Sequence, residues 1–339
     1  MPLYNGARGG HLREALDSLL SQTYPHVAFV FADDGSTDDT YEVVAGIAAN
    51  DERLVLTRNA RRLGLVTNWC HVFRLARRLF PHASYFAWGS DHDRWDRRWL
   101  ERLVAELDAH GDAVMAYPRF LRIDEHGREI VIKGSSAGIN TGGLARRQRI
   151  EAASASKIGA GNLVYGLFNA QALERVGIYP AVHRPDIYIM IELSLYGEIR
   201  RVDETLWYRR EWSTPRPPDG APAAAAEAPS RRGQAWRRSL ARAFGVGPIT
   251  RQHRSFFLGR VPLYSRFPSW VQHLWLFTWR LVVLGRGRPH IGRAEAVVYA
   301  VRLLAASPRT RKILQMSLDE WREQKRRDRA LAKAARQRS

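Results

Sequence analysis

Along the first 120 residues, short apolar runs alternate with stretches in which apolar residues recur every three or four positions. Leu12, Ala15, Leu16, Leu19 and Leu20 mark one face of a helix, with Pro25 just beyond its end. Residues 27–32 are continuously apolar, as expected of a strand buried on both faces. The run stops at Asp33-Asp34-Gly35-Ser36-Thr37-Asp38-Asp39-Thr40, where Gly permits an unusual turn and Asp or Thr can cap the next helix, whose inner face is Tyr41, Val44 and Ala48. The cycle repeats with a strand at 53–57 and a helix carrying Trp69, Val72, Phe73 and Ala76. A further strand at 84–88, a helix carrying Trp99, Leu103 and Leu107, and a strand at 113–117 follow. Strands alternating with helices predict an α/β fold with a mostly parallel sheet covered on both faces. Ligands of such sheets bind at the carboxyl ends of the strands, where the polar clusters at 33–39 and 89–93 fall.

Beyond Tyr117 the pattern changes to a hairpin around Asp124-Glu125-His126-Gly127 and a Gly/Ser-rich stretch at 134–143. Residues 213–230 hold five prolines and an alanine run, the composition of a linker. Three regions are expected: a catalytic-type α/β domain over 1–212, a Pro/Ala-rich linker over 213–232, and a helical, basic region over 233–339. Of 339 residues, 45% are hydrophobic and 10% aromatic, which excludes whole-chain disorder. The net charge of +19 is unevenly placed, since residues 231–339 carry +20 and residues 1–230 carry −1. A uniformly basic nucleic-acid-binding domain would not divide this way, and no nucleic-acid partner is expected. Cys70 is the single cysteine, no Cys/His cluster has zinc spacing, and the N-terminus lacks the plan of a signal peptide. A cytoplasmic location, extending to the inner face of the plasma membrane, is expected.

Two clusters carry chemistry. Asp91-His92-Asp93 lies between a strand and a helix, and hard oxygen ligands two residues apart suit Mg²⁺ or Mn²⁺ shared with a diphosphate. The same carboxylates could merely cap the next helix. In Asp33-Asp34-Gly35-Ser36, one carboxylate could accept from a base imide N–H, which uracil, thymine and guanine offer and cytosine lacks; an Asx-type turn is the plainer alternative. Tyr4 could stack on a base or simply pack. A dehydrogenase fingerprint is missing, because Gly6-x-x-Gly9-Gly10 is not G-x-G-x-x-G.

Together, Pro2-Leu3-Tyr4-Asn5-Gly6, the stretch from Ala15 to Tyr24, Asp33-Asp34-Gly35-Ser36-Thr37-Asp38-Asp39-Thr40 and Asp91-His92-Asp93-Arg94-Trp95 resemble glycosyltransferase family 2 of the GT-A fold. The resemblance implies a transferase acting on a nucleotide diphosphate sugar of UDP, dTDP or GDP type, with a divalent cation (Mn²⁺ or Mg²⁺) as cofactor. Pro2, Tyr4, Asp34 and Asp91 would line the donor site, Tyr4 and Asp34 would hold the base, and Asp93, with Asp91 nearby, would be the main metal ligand. Arg184-Pro185-Asp186 resembles the acceptor-side motif, where an acidic residue opening a helix is the general base; Asp186 would take the proton of an acceptor hydroxyl as it attacks the anomeric carbon with inversion. An N-cap role for Asp186 is compatible, and Glu192 reads as structural. The acceptor is expected to be a glycan or lipid-linked molecule of cell-envelope biosynthesis.

The chain departs from the family at three points. Many relatives place a histidine after the Tyr-Arg stretch, where Glu211-Trp212 follows here. The Gln-x-x-Arg-Trp motif and multiple spans of polymerising members are lacking, so single transfer is expected rather than processive synthesis. The chain also starts inside the first motif, which predicts a gap in the sheet beside Val30 and a natural start upstream of Met1. This last feature motivates an alternative, a catalytically inert sugar-nucleotide or membrane-binding scaffold of the same fold. Residues 270–284 are too short and too charged to span a bilayer but suit an interfacial helix with Trp270, Trp275 and Trp279 at headgroup level, or a core helix; Arg322 to Arg338 reads as a solvated charged helix.

Overall fold

A computed structural model describes residues 1–131, 138–155, 160–182, 185–212, 269–286 and 291–306. The chain divides into two compact units, the first containing every described element up to residue 212 and the second those beyond 269. The proline-rich linker and the charged C-terminal segment lie outside the described residues.

In the first unit, β1 (Pro2–Leu3), β2 (Phe29–Asp33) and β3 (Leu54–Arg58) form a parallel sheet in the order β1-β2-β3. Helices α1 (Leu12–Leu20), α2 (Thr40–Ala48) and α3 (Leu65–Leu79) connect or follow these strands. α1 buries the apolar stripe Leu12, Ala15, Leu16 and Leu19, and β2 is buried at every position. Both patterns follow the periods read from the sequence.

A second sheet has the order β4-β7-β6-β8-β5, from β4 (Tyr85–Ala87), β5 (Arg94–Trp95), β6 (Ala113–Ile123), β7 (Leu167–Asn169) and β8 (Glu198–Arg210). Its long central pair, β6 with β8, is parallel, whereas β4–β7, β6–β7 and β5–β8 are antiparallel. The fold is α/β as expected, but this half is more mixed than strict strand–helix alternation implies. β6 runs on through Pro118 to Ile123, and its register against β8 shifts near that proline, which cannot donate to the ladder. The expected turn at 124–127 is present, with Gly127 at φ +79° and Ile123 bridged to Glu129. α4 (Trp99–Ala109), α5 (Arg146–Ala155), α6 (Ala170–Arg175) and α7 (Pro185–Tyr196) complete the unit.

The core falls in two clusters, one around Leu16, Phe31, Trp99, Leu103 and Trp207, the other around Phe73, Trp88, Met115, Phe168 and Leu193. Val30, expected to be exposed beside the gap in the sheet, is buried instead. The second unit contains α8 (Ser269–Phe277), continued by a π-helical segment (Thr278–Val283), and α9 (Arg293–Ala306). Gln272 and Arg280 are buried here, while Trp275 and Trp279 are 49% and 44% exposed and stack at 6.2 Å with an interplanar angle of 4°.

Candidate functional site

The polar loops at the carboxyl ends of β1, β2 and β4 converge. Asp33 is fully buried; it accepts from the backbone N–H and hydroxyl of Ser36 and pairs with Arg58 Nε at 3.1 Å. The Ser36 hydroxyl in turn accepts from Asn5 N–H at 3.0 Å, and Asn5 Oδ1 accepts from Thr37 N–H at 2.8 Å. The first two motifs are therefore stitched together, with Asp33 as the knot.

Asp34 faces the other way and gathers residues 59–64. It accepts from Leu63 N–H at 2.6 Å, Gly64 N–H at 2.8 Å and Asn59 Nδ2 at 2.9 Å. A carboxylate offers about four lone-pair sites, so about one remains for a further donor. The loop so held places Arg62 over the Tyr4 ring, 3.7 Å from its centroid, and its buried Nε has no hydrogen-bond partner. Arg62 belongs to Asn59-Ala60-Arg61-Arg62-Leu63-Gly64, in which no spacing signal marks one arginine over the other.

The Asp91-His92-Asp93 turn lies beside the first motif. An added Cβ at Gly6 would sit 2.7 Å from Asp91 Oδ2, so any side chain there would force the Asp91 carboxylate to shift. The two carboxylates are differently placed. The Asp91 side chain is 18% exposed, with Oδ1 2.6 Å from His92 Nδ1. Asp93 is 2% exposed; it accepts from Arg210 N–H at 2.8 Å and Trp207 Nε1 at 3.1 Å, with His92 Nε2 3.8 Å away. Burial pushes its carboxyl above the ordinary range, against the nearby charge of His92 and those hydrogen bonds. Among the described residues, no three His, Cys, Asp or Glu side chains cluster as a ready metal cage. A group held partly by phosphate oxygens and water needs only one or two carboxylates, and Asp91 with Asp93 behind it fits that requirement.

Arg210, whose side chain is buried, fixes this turn. Its guanidinium donates to the carbonyls of His92 at 2.9 Å, Asp124 at 3.0 Å and Glu125 at 3.3 Å, and pairs with Glu14 on α1. It lies in the Tyr-Arg stretch that precedes Glu211-Trp212, where only the structure separates the inward Arg210 from Arg209, which donates to Asn162 Oδ1. Trp212 packs near His92 and His11, with ring centroids 4.9 and 6.1 Å away.

Asp186 lies in the first turn of α7, and Glu192, further along the same helix, is fully buried. The structure relates Asp186 to the aspartate turn through an aromatic wall. Burial, then the charges of Asp93 and Asp91, raise the Tyr165 hydroxyl; burial, then the charge of Asp186, raise that of Tyr179. Both tyrosines pack on Trp69, at 5.8 and 4.9 Å between centroids. No sequence signal singled out Tyr165 or Tyr179.

The model for glycosyl transferase family 2 matches residues 1–157, a stretch containing both carboxylate clusters. Over that stretch the chain is similar to glycosyl transferase family 2. The chain is 33% identical over 108 residues to an uncharacterized glycosyltransferase, RP339, of Rickettsia prowazekii (strain Madrid E), covering 32% of this chain and 30% of that protein. It is 32% identical over 132 residues to the putative glycosyltransferase EpsE of Bacillus subtilis (strain 168), covering 38% and 44%. The chain thus spans less than half the length of these relatives. Among solved structures it is similar to S. aureus TarS 1–349, at a TM-score of 0.52 and 15% identity over 94% of this chain and 86% of that one. A complex of the same protein with UDP-GlcNAc gives 0.50 and 16% over 88% of each. The fold is that of the GT-A glycosyltransferases.

Proposed function

We infer that the chain is an inverting glycosyltransferase that moves one sugar from a nucleotide diphosphate sugar to an acceptor hydroxyl. The observation that carries this reading is the convergence of Tyr4, Asp34 and Asp91, within a family 2 segment, on the carboxyl edge of the sheet. A uridine donor is the first to expect, because TarS is solved with UDP and UDP-GlcNAc and because uracil offers the imide N–H that the last site on Asp34 can accept. Pro2 and Tyr4 wall the base site; a base stacked on Tyr4 either displaces Arg62 or takes the opposite ring face.

Asp91 and Asp93 would hold a divalent cation, which supplies charge neutralisation for the departing diphosphate. Arg210 and Trp207 keep Asp93 in place, and the Gly6 approach sets Asp91 beside the first motif. On the acceptor side, Asp186 takes the hydroxyl proton as the oxygen bonds to the anomeric carbon; the bond to the diphosphate breaks, and its electron pair leaves with that group. Attack opposite the leaving group inverts the anomeric centre. The acceptor class is a glycan or lipid-linked envelope precursor.

Peripheral contact with an anionic membrane belongs to the same reading. It is supported by the +20 charge of residues 231–339 and the exposed, stacked Trp275 and Trp279. No helix of the described residues is long and apolar enough to cross a membrane.

The test is a panel of UDP-, dTDP- and GDP-sugars, with and without Mn²⁺, read by thermal shift and by release of nucleotide diphosphate with simple glycan acceptors. Release with one donor and an inverted product anomer supports the reading. Donor binding without release in the presence of acceptors points to an inert scaffold.

A further inference from the structure

Arg209 and Arg210 are neighbours on β8 with different surroundings. In the antiparallel pairing of β5 with β8, Arg94 stands opposite Tyr208 and Trp95 opposite Trp207. Continuing that register by one residue sets Asp93 opposite Arg209, which puts both side chains on one face, the face of Trp207. The two donors to the Asp93 carboxylate, Trp207 Nε1 and the Arg210 N–H, flank Arg209 in the strand. Burial pushes that carboxyl up, and the charge of Arg209 is among those that pull it back. Among the described residues Arg209 pairs with Glu211 alone, Nε to Oε1 at 3.7 Å, so its guanidinium and the Asp93 carboxylate stand apart with space between them. Glu211 is shared, because the same oxygen lies closer to Arg122, at 3.2 Å. Nη1 donates to Oδ1 of the buried Asn162, which fixes the plane of the guanidinium, while Nη2 donates to no described residue. The side chain is 37% exposed. A fixed fork with open donors therefore faces the cleft beside the aspartate turn.

We propose that Arg209 binds the outer phosphate of the nucleotide diphosphate, the one that carries the sugar. The inference rests on the transferase reading above. The order of contacts along the cleft selects that phosphate: Asp34 and Tyr4 belong to the base end, Gly6 meets Asp91, and Asp93 meets β8, so Arg209 stands at the end farthest from the base. The chemistry agrees, because a guanidinium offers two parallel N–H donors that match two phosphate oxygens. The charge agrees as well. A diphosphate brings further negative charge beside Asp91 and Asp93, and more develops during transfer: as the acceptor oxygen bonds to the anomeric carbon, the bond from that carbon to the outer phosphate oxygen breaks, and its electron pair stays on that oxygen. A cation already held in place by Asn162 stabilises that charge without rearranging.

The test is calorimetric titration of the full chain, in Mn²⁺, with UDP, dTDP and GDP and with the matching monophosphates, repeated in Arg209→Gln and Arg209→Lys. For the diphosphate that binds, Arg209→Gln should lose about tenfold or more in affinity, while its monophosphate stays within about twofold. Arg209→Lys should recover part of the loss, since an ammonium keeps the charge without the fork. Retained monophosphate binding also shows that the variant is folded. An unchanged diphosphate affinity in Arg209→Gln, or an equal loss of both nucleotides in either variant, overturns the assignment while the transferase reading stands. A wild-type chain that binds none of the three diphosphates fails that reading and takes this inference with it.

Discussion

Replacing Arg210 by methionine removes a buried guanidinium while keeping an unbranched side chain of similar reach. The loss comes mainly from three backbone carbonyls, of His92, Asp124 and Glu125, which lose their donor. Glu14, the ionic partner, is 41% exposed, so its charge rehydrates and adds little. A buried acceptor left without a partner costs about 1–3 kcal/mol, and water entering from the Glu14 side relieves part of it, so a net loss of about 3 kcal/mol is expected. For a domain of this size that corresponds to a fall in Tm of roughly 6–12 °C. The assay is calorimetry of the full chain, paired with titration of UDP and Mn²⁺. Donor affinity should fall with stability, because the guanidinium holds the His92 carbonyl and with it the turn that carries Asp91 and Asp93. Arg210→Lys should recover only part of both, since an ammonium cannot reach three carbonyls and a carboxylate at once. A drop in Tm below about 2 °C in Arg210→Met would refute the claim that this side chain organises the aspartate turn.

Asp93→Ala should abolish transfer while the chain still folds, as judged by circular dichroism; turnover near the wild-type rate would remove Asp93 from the metal site. If the Asp186 carboxylate acts on the acceptor as proposed, Asp186→Asn should suppress turnover and leave UDP affinity within about twofold; lost nucleotide affinity would reassign it. The full chain should cosediment with anionic vesicles and be released by salt, since each basic residue near the surface contributes about 1 kcal/mol under screening; equal binding to neutral vesicles would leave only the Trp275–Trp279 face as the cause. With the Met1 amine pulled down to about 5, the unfolded chain carries a proton between pH 5 and 8 that the folded chain lacks, so Tm should rise with pH across that window and be lost as pH falls toward 5.

The helices were legible because their stripes are strict: α1 begins and ends where Leu12 and Leu20 place it, and β2 ends at the polar turn that stops the apolar run. The antiparallel strands were not. β7 has three residues, too few to show a period of two, and β5 has two, so their places are decided by partners distant in sequence. The carboxylate clusters at 33–34 and 91–93 stand out by residue type and order, but the unequal burial of Asp91 and Asp93 does not, since it depends on Trp207 and Arg210 more than a hundred residues away. In the second unit, composition named an apolar helix but not which side faces outward. There Gln272 and Arg280 lie inside and two tryptophans outside, because pattern reports spacing while packing chooses the face.

The close approach at Gly6 makes two distant stretches of the chain a single exchangeable part. A side chain at position 6 would meet the Asp91 carboxylate at 2.7 Å and force it to shift, so a change in the loop after β1 is felt in the turn before β5. A chimera that imports another protein's aspartate turn, to alter donor choice, must import the matching first loop as well. Conversely, Gly6→Ala, one methyl group, would push the Asp91 carboxylate aside while keeping its charge in the chain.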